Sequence, residues 1–365
     1  MIALDSIHVT VVSWVRTNRV LAMSLIAKLE SLLQLTKISA TKFVTTNLPA
    51  APVGSKSTFG GTLVAQSLLA SMNTVPRNFI PSSLHCYFIS GGHPEHMITY
   101  NVESLREGRN FIHKEVRAYQ DQKLIFQSMI LFASGKKTNE IIDDDTLSHL
   151  KTIDLPNQDK YTYAADLFKR QVADDQTKTR MFQELPIVQN RGGVEHMNNV
   201  YNSFRTQPME YHFPDDFFHS SSGNRNEYVN YYVKIREGSV KTVGFPEKQL
   251  DHEHELISPR NDERYNYAAF AYLSDSYLLL ALPFFSNMPL YSHKFSVSLD
   301  HTIHFHQLPH VNDLIYLNIE NSRSADHRHL MQGEYFDSKT GKILASVSQE
   351  GLVVYDSIKQ LKAKL

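Results

Sequence analysis

The sequence predicts an α+β protein built twice over, each copy an antiparallel sheet wrapped around one long central helix. Three observations carry this reading. Two long apolar runs, residues 62–72 and 266–282, read as helices apolar on every face and hence buried in a core. Each is followed by a series of short runs rich in β-branched and aromatic residues, separated by turn residues. The two series also match each other in order, as a tandem duplication requires.

The elements follow along the chain. Residues 1–22 hold a short apolar run, Val9 to Val15, with Arg16 and Arg19 behind it, an order opposite to that of a secretory signal. They are expected to be an N-terminal extension, translated upstream of a start at Met23. The first unit is placed at 23–135. In it, Leu25, Ile26, Leu29, Leu32 and Leu33 share one face of a helix over 23–35. A loop punctuated by Pro and Gly covers 48–61, and Gly60-Gly61 opens the apolar run at a point where a backbone or ligand can approach closely. Strands are expected at 83–89, 97–105, 109–120 and 124–133.

Residues 136–225 are rich in Lys, Asp, Asn, Gln and Ser, and read as a long linker lying over the fold without a core of its own. The second unit is placed at 226–356. Its strands are expected at 228–236, 294–306, 314–321, 329–337 and 343–355, and its helix over 266–282. A tail follows over 357–365. The duplication is visible in paired segments: Ser83-Leu-His with Ser298-Leu-Asp, Ile98 to Glu103 with Ile315 to Glu320, and Lys123-Leu-Ile-Phe with Lys342-Ile-Leu-Ala.

Composition excludes several classes. Lys+Arg 37 against Asp+Glu 38 leaves no basic excess for nucleic acid. The one cysteine, Cys86, rules out an internal disulfide framework and a Cys-based zinc site, and its apolar strand context marks it as a core residue. No apolar run is taken to reach the length of a membrane span. The Gly-x-Ser-x-Gly elbow of serine hydrolases and the dinucleotide and phosphate-loop fingerprints do not occur. His301, His304, His306 and His310 invite a metal reading. Two of them, His304 and His306, can share a strand face, but zinc needs a third protein ligand, so neutral hydrogen-bonded histidines are the expectation.

Two positions stand out on physical grounds. Asp275 sits within the second apolar run. A buried carboxylate without partners costs several kcal/mol or takes up a proton, so Asp275 either has dedicated partners or does chemistry. Gln349 lies in a core strand and aligns with apolar Ile130 when Lys342 is set against Lys123. A buried amide needs partners too.

Several ordered motifs carry a family resemblance. Ser57 to Gln66, Leu84 to Gly92, Leu105 to Phe111, Tyr272-Leu-Ser-Asp275, Ser298-Leu-Asp-His301 and Ser348-Gln-Glu-Gly351 resemble the type II, TesB-like acyl-coenzyme A thioesterases, and within them the peroxisomal branch of budding yeasts. The resemblance spans Met23 to Leu365. It implies a double hotdog fold and a catalytic set of Asp275, Ser298 and Gln349, in which the carboxylate activates a water to hydrolyse the thioester. Ser298 stands where the family also uses Thr, and the hydroxyl is kept. No cofactor or metal is implied, the substrate is acyl-CoA, and a homo-oligomer is expected. Ala363-Lys364-Leu365 is a close variant of the Ser-Lys-Leu address, read by the peroxisomal import receptor at a free C-terminus, and predicts the peroxisomal matrix. Two alternatives remain: a non-catalytic acyl-CoA-binding protein, and an enoyl-CoA hydratase of the hotdog type. The latter needs a His beside the Asp, and the Asp275 helix has none.

Overall fold

A computed structural model describes residues 29–135, 149–173, 194–218, 227–237, 255–286, 288 and 293–355. The N-terminal extension and the C-terminal Ala363-Lys364-Leu365 lie outside the described residues, as do Leu25 and Ile26.

In chain order the first unit holds α1 (Leu29–Leu33), β1 (Leu35–Lys37), β2 (Lys42–Thr45), α2 (Gly60–Met72), β3 (Phe79–Phe88), β4 (Thr99–Glu107), β5 (Phe111–Gln120) and β6 (Lys123–Ser134). There follow β7 (Tyr161–Tyr163), α3 (Ala164–Phe168), α4 (Val194–Thr206) and β8 (Met209–Pro214). The second unit holds β9 (Tyr228–Ile235), α5 (Tyr265–Ser274), α6 (Leu282–Phe285), β10 (His293–Ser298), β11 (Asp300–Phe305), β12 (Ile315–Ala325), β13 (Arg328–Asp337) and β14 (Ile343–Tyr355).

The described strands join one sheet in the order β1-β2-β4-β5-β6-β3-β11-β14-β13-β12-β9-β8-β7, with β10 paired to β14 off this path. All their pairings are antiparallel. The two units meet where β3 pairs with β11, and Cys86 is the partner of His301 there. Continuing the Ser83/Ser298 match brings Cys86 against His301 as well. A local two-fold axis through the seam therefore passes between these residues.

The sheet wraps α2 and α5. Every residue of α5 is buried, and so is every residue of α2 after Gly60, which is why both stretches read as apolar on all faces. The two helices run antiparallel: Gly61 meets Tyr272 at one end, and Asn73 accepts the Ile257 N–H at the other. Gly61 permits the approach, since a Cβ there would lie 2.4 Å from the Tyr272 carbonyl oxygen.

Three expectations are corrected. The stretch read as a linker without a core supplies β7 and β8 to the sheet. It also buries Phe168, Phe204, Phe213, Phe217 and Phe218 in one aromatic cluster that includes Tyr211 and Tyr277. Its polar composition hid a few well-spaced aromatics, each of which removes a large area from water. The helix expected over 266–282 ends at Ser274. Tyr277 takes a left-handed φ of 52°, and the chain resumes as a 3-10 turn, Leu279–Ala281, before α6. Ser274, Asp275 and Ser276 compete with the helix for backbone bonds, and Pro283 cannot donate to one. Lastly, Tyr265–Phe285, 21 residues containing an 18-residue stretch of mean hydropathy 1.4, is long and apolar enough to pass for a membrane span, but 89% of that stretch is buried in protein.

Gly→Ala within a helix usually stabilises by about 1 kcal/mol. At Gly61 the sign should reverse: Gly61→Ala is expected to destabilise by about 1–3 kcal/mol through overpacking, visible as a lower thermal midpoint.

Candidate active site

The break in the second helix puts Asp275 at the C-terminal cap of α5, with φ −83° and ψ 0°. Its carboxylate is held from both units. From the second unit, Gln349 Nε2 on β14 donates to Asp275 Oδ1 at 2.6 Å and to Ser298 Oγ at 2.8 Å. From the first, the Gly61 N–H at the start of α2 bonds the carboxylate, and a Cβ on Gly60 would come within 2.6 Å of Asp275 Oδ2. The structure thus brings Asp275, Ser298 and Gln349 together. Gly60-Gly61, read from sequence only as a point of close approach, makes room for the carboxylate at a helix N-terminus, where the backbone favours an anion.

Ser298 reaches this cluster through a β-bulge. Ser298 pairs with Gly351, whereas Thr302 pairs with Ser348, so the register slips by one residue between them. Strict alternation would group Ser298 with Thr302 and His304, away from buried His301 and Ile303. The slip at Leu299 turns the hydroxyl onto the face that carries Gln349, and bulges commonly re-aim side chains in this way. This placement could not be read from periodicity.

The Thr302–Ser348 pair also sets Gln349 opposite His301 one residue on, just as Ser128 stands opposite Cys86 in the first unit. The structural counterpart of Gln349 is therefore Ser128, not Ile130. The two differ by two residues, which preserves the face and so escapes an alternation argument. Ser128 bonds Ser67 at 3.3 Å, a neutral echo of the Gln349–Asp275 contact.

Burial is the main influence on Asp275. It raises the carboxyl from 3.8 to about 7, against the opposing pull of the Gln349 amide and the Gly61 N–H. Gln349 is fully buried. Both hydrogens of its amide nitrogen are committed, and its Oε1 has no hydrogen-bond partner among the described residues.

The histidines lie elsewhere in role. His301 is buried, and its Nε2 meets Ser274 Oγ at 2.9 Å. Since the Ser274 hydroxyl donates to the Ala271 carbonyl, His301 Nε2 is the donor in that pair. Burial lowers its pKa to about 3, so it is neutral. His304 packs its ring on His85 at 5.4 Å, His306 bonds Ser346, and His310 is exposed. Among the described residues no group of three or more His, Cys, Asp or Glu is placed to hold a metal ion, and no His bonds Asp275.

The chain is similar to known thioesterases in sequence and in fold. The family model described as acyl-CoA thioesterase matches residues 225–352, and that of the acyl-CoA thioesterase N-terminal domain matches residues 48–133. The peroxisomal acyl-coenzyme A thioester hydrolase 1 of Saccharomyces cerevisiae is 51% identical, over 93% of this chain and 97% of its own. The acyl-CoA thioesterase II TesB2 of Mycobacterium marinum superposes with a TM-score of 0.61 at 19% identity, over 90% of this chain and 99% of its own. A hot dog fold protein of Alicyclobacillus acidocaldarius gives 0.59 at 12%, over 90% and 98%. The fold is a double hotdog. The chain belongs to the type II, TesB-like acyl-CoA thioesterases.

The folded state holds the Asp275 proton more tightly than an unfolded chain, in which the pKa returns to about 4. The contribution of Asp275 to stability should therefore be greatest below about pH 4 and decline as pH rises to about 7. A shift of about three units corresponds to a decline on the order of 4 kcal/mol. Denaturant midpoints measured from pH 4 to 8 should show this decline in the wild type, and Asp275→Asn should lack the part due to Asp275.

Proposed function

We propose that the protein hydrolyses fatty acyl-CoA to free fatty acid and coenzyme A, with Asp275 as general base and Ser298 and Gln349 as its partners. The observation that carries this is a desolvated carboxylate, still partly open to solvent, bonded to an amide that also holds a hydroxyl. A pKa near 7 suits a base, because it balances the ionised fraction against proton affinity at neutral pH.

In the proposed sequence a water lies between Asp275 and the thioester. Asp275 takes one of its protons as the oxygen adds to the carbonyl carbon. The Ser298 hydroxyl, having accepted from Gln349, retains a proton to donate, and the unpartnered Gln349 Oε1 can accept the second hydrogen of the water. The oxyanion so formed needs donors; the Ser298 hydroxyl and the N-terminal end of α2 are the donors on offer. The intermediate collapses by breaking the C–S bond, which releases the coenzyme A thiolate, and the proton held on Asp275 returns to thiolate or solvent. No cofactor enters this balance.

Two alternatives fit less well. A hydratase needs an acid–base pair of Asp and His, yet His301 is tied to Ser274 and neutral. A non-catalytic binder has no use for a carboxylate desolvated at such cost. The name of the yeast relative and the Ala363-Lys364-Leu365 end both support a peroxisomal location.

Asp275→Asn is expected to lower kcat for a long-chain acyl-CoA by about 10²–10⁴-fold, with KM little changed, in an assay of free CoA thiol; turnover equal to wild type would remove Asp275 from the mechanism. Wild-type kcat/KM should rise with pH through an apparent pKa near 7. Deleting residues 363–365 should leave specific activity intact and shift a fluorescently tagged chain from peroxisomes to the cytosol.

A further inference from the structure

Asp275 occupies the carboxyl end of α5, where the last backbone carbonyls leave the helix without intrahelical partners. That end carries partial negative charge and disfavours an anion beside it. At the corresponding end of α2 the chain caps itself: Asn73 and Thr74 donate from backbone and side chain to the carbonyls of Leu69 and Ser71. An ionised Asp cannot donate from its side chain; at α5 the Ser274 hydroxyl and the Ser276 N–H take up the Ala271 and Leu273 carbonyls, and the carbonyls beyond them draw donors from the sheet.

Two tyrosines supply them, and a third bonds the neighbouring Ser276 side chain. Tyr335 on β13 donates to the Ser274 carbonyl at 3.0 Å, and Tyr231 on β9 donates to the Ser276 carbonyl at 3.0 Å. Tyr211 on β8 bonds the Ser276 hydroxyl. All three are buried, and Tyr335 also packs edge-on against Phe270 of α5 at 5.0 Å. The two carbonyls taken up by Tyr335 and Tyr231 stand on either side of Asp275.

We propose that Tyr335 and Tyr231 are positioning residues for Asp275. Acting through the backbone of α5, their hydroxyls fix its broken end and quench carbonyls that would oppose ionisation of the carboxylate. This rests on reading Asp275 as the base. The titratable groups around it leave the acid limb of the pH profile to Asp275. Cys86 from β3, Tyr272 from α5 and Tyr335 from β13 are all made less acidic by burial and by the Asp275 charge. His301 from β11 stays neutral down to about pH 3. From α2, β10 and β14 come the Gly61 N–H, Ser298 and Gln349, none of which titrates. Asp300, which also acts on Cys86, has a raised pKa and is common to every variant compared.

The test measures kcat and KM for a long-chain acyl-CoA from pH 5 to 9.5 in Tyr335→Phe and Tyr231→Phe. The matched control is Tyr100→Phe. It removes an equally buried hydroxyl, which donates to Gln66 Oε1 at 2.7 Å in the first unit. Each of the two test variants should move the acid limb up by about half to one pH unit. kcat/KM then falls about three- to tenfold at pH 6 and recovers at pH 9, with the change in kcat and not in KM. Tyr100→Phe should keep the wild-type limb. A uniform loss across the range, or the same shift in Tyr100→Phe, overturns the proposal. A second readout does not depend on activity: the pH-dependent decline in denaturant midpoint should extend to higher pH in Tyr335→Phe, and an unmoved decline overturns the proposal. Asp275→Asn is run alongside. Turnover retained there overturns the base assignment, and the unfolding titration then decides the role of the tyrosines alone.

Discussion

The structure depends on one costly placement, a carboxylate largely withdrawn from water between two helix ends of opposite sign. Asp275 lies at the negative end of its own helix and at the positive end of the helix from the other unit. Each nearby feature makes this tenable. Gly60 and Gly61 lack side chains where the carboxylate and the Tyr272 carbonyl approach. Gln349 donates from a buried strand position, and tyrosines from the sheet bond the loose backbone around the break. Gly351 leaves a notch that Leu279 fills, seating the chain just beyond the break against β14. Desolvation still dominates, and the result is a group poised to exchange a proton near neutral pH.

The duplication explains why two units make one such site. Within α2 the first unit buries a neutral amide, Gln66, whose Nε2 donates to the Leu32 carbonyl and whose Oε1 accepts from Tyr100. Across the two-fold axis at the β3–β11 seam, Ser128 stands for Gln349 and Cys86 for His301. The first unit has kept the sheet and the helix but none of the charge. What it contributes to the candidate site is the amino end of α2.

Much of this was legible in the sequence. The apolar runs marked the two central helices because burial on every face leaves no polar stripe, and the strands showed through their β-branched and aromatic content. Asp275 and Gln349 were visible as polar groups in places where burial is expensive. Ser298 was not, because its face is set by a one-residue slip in pairing, and alternation cannot register such a slip. The break after Ser274 was hidden for a related reason: its donors come from Tyr231 and Tyr335, far away in the chain. The aromatics of the 149–218 region were diluted by polar neighbours until the fold gathered them against Tyr277.

The central claim is that Asp275 acts on water and not on the thioester itself. A single turnover in ¹⁸O-water, with enzyme in excess over acyl-CoA, tests it most directly. Base catalysis predicts one ¹⁸O in the fatty acid from the first turnover and none in a peptide containing Asp275. Unlabelled fatty acid from that turnover, with ¹⁸O recovered in Asp275, would mean that the carboxylate had attacked the carbonyl carbon, and would contradict the account.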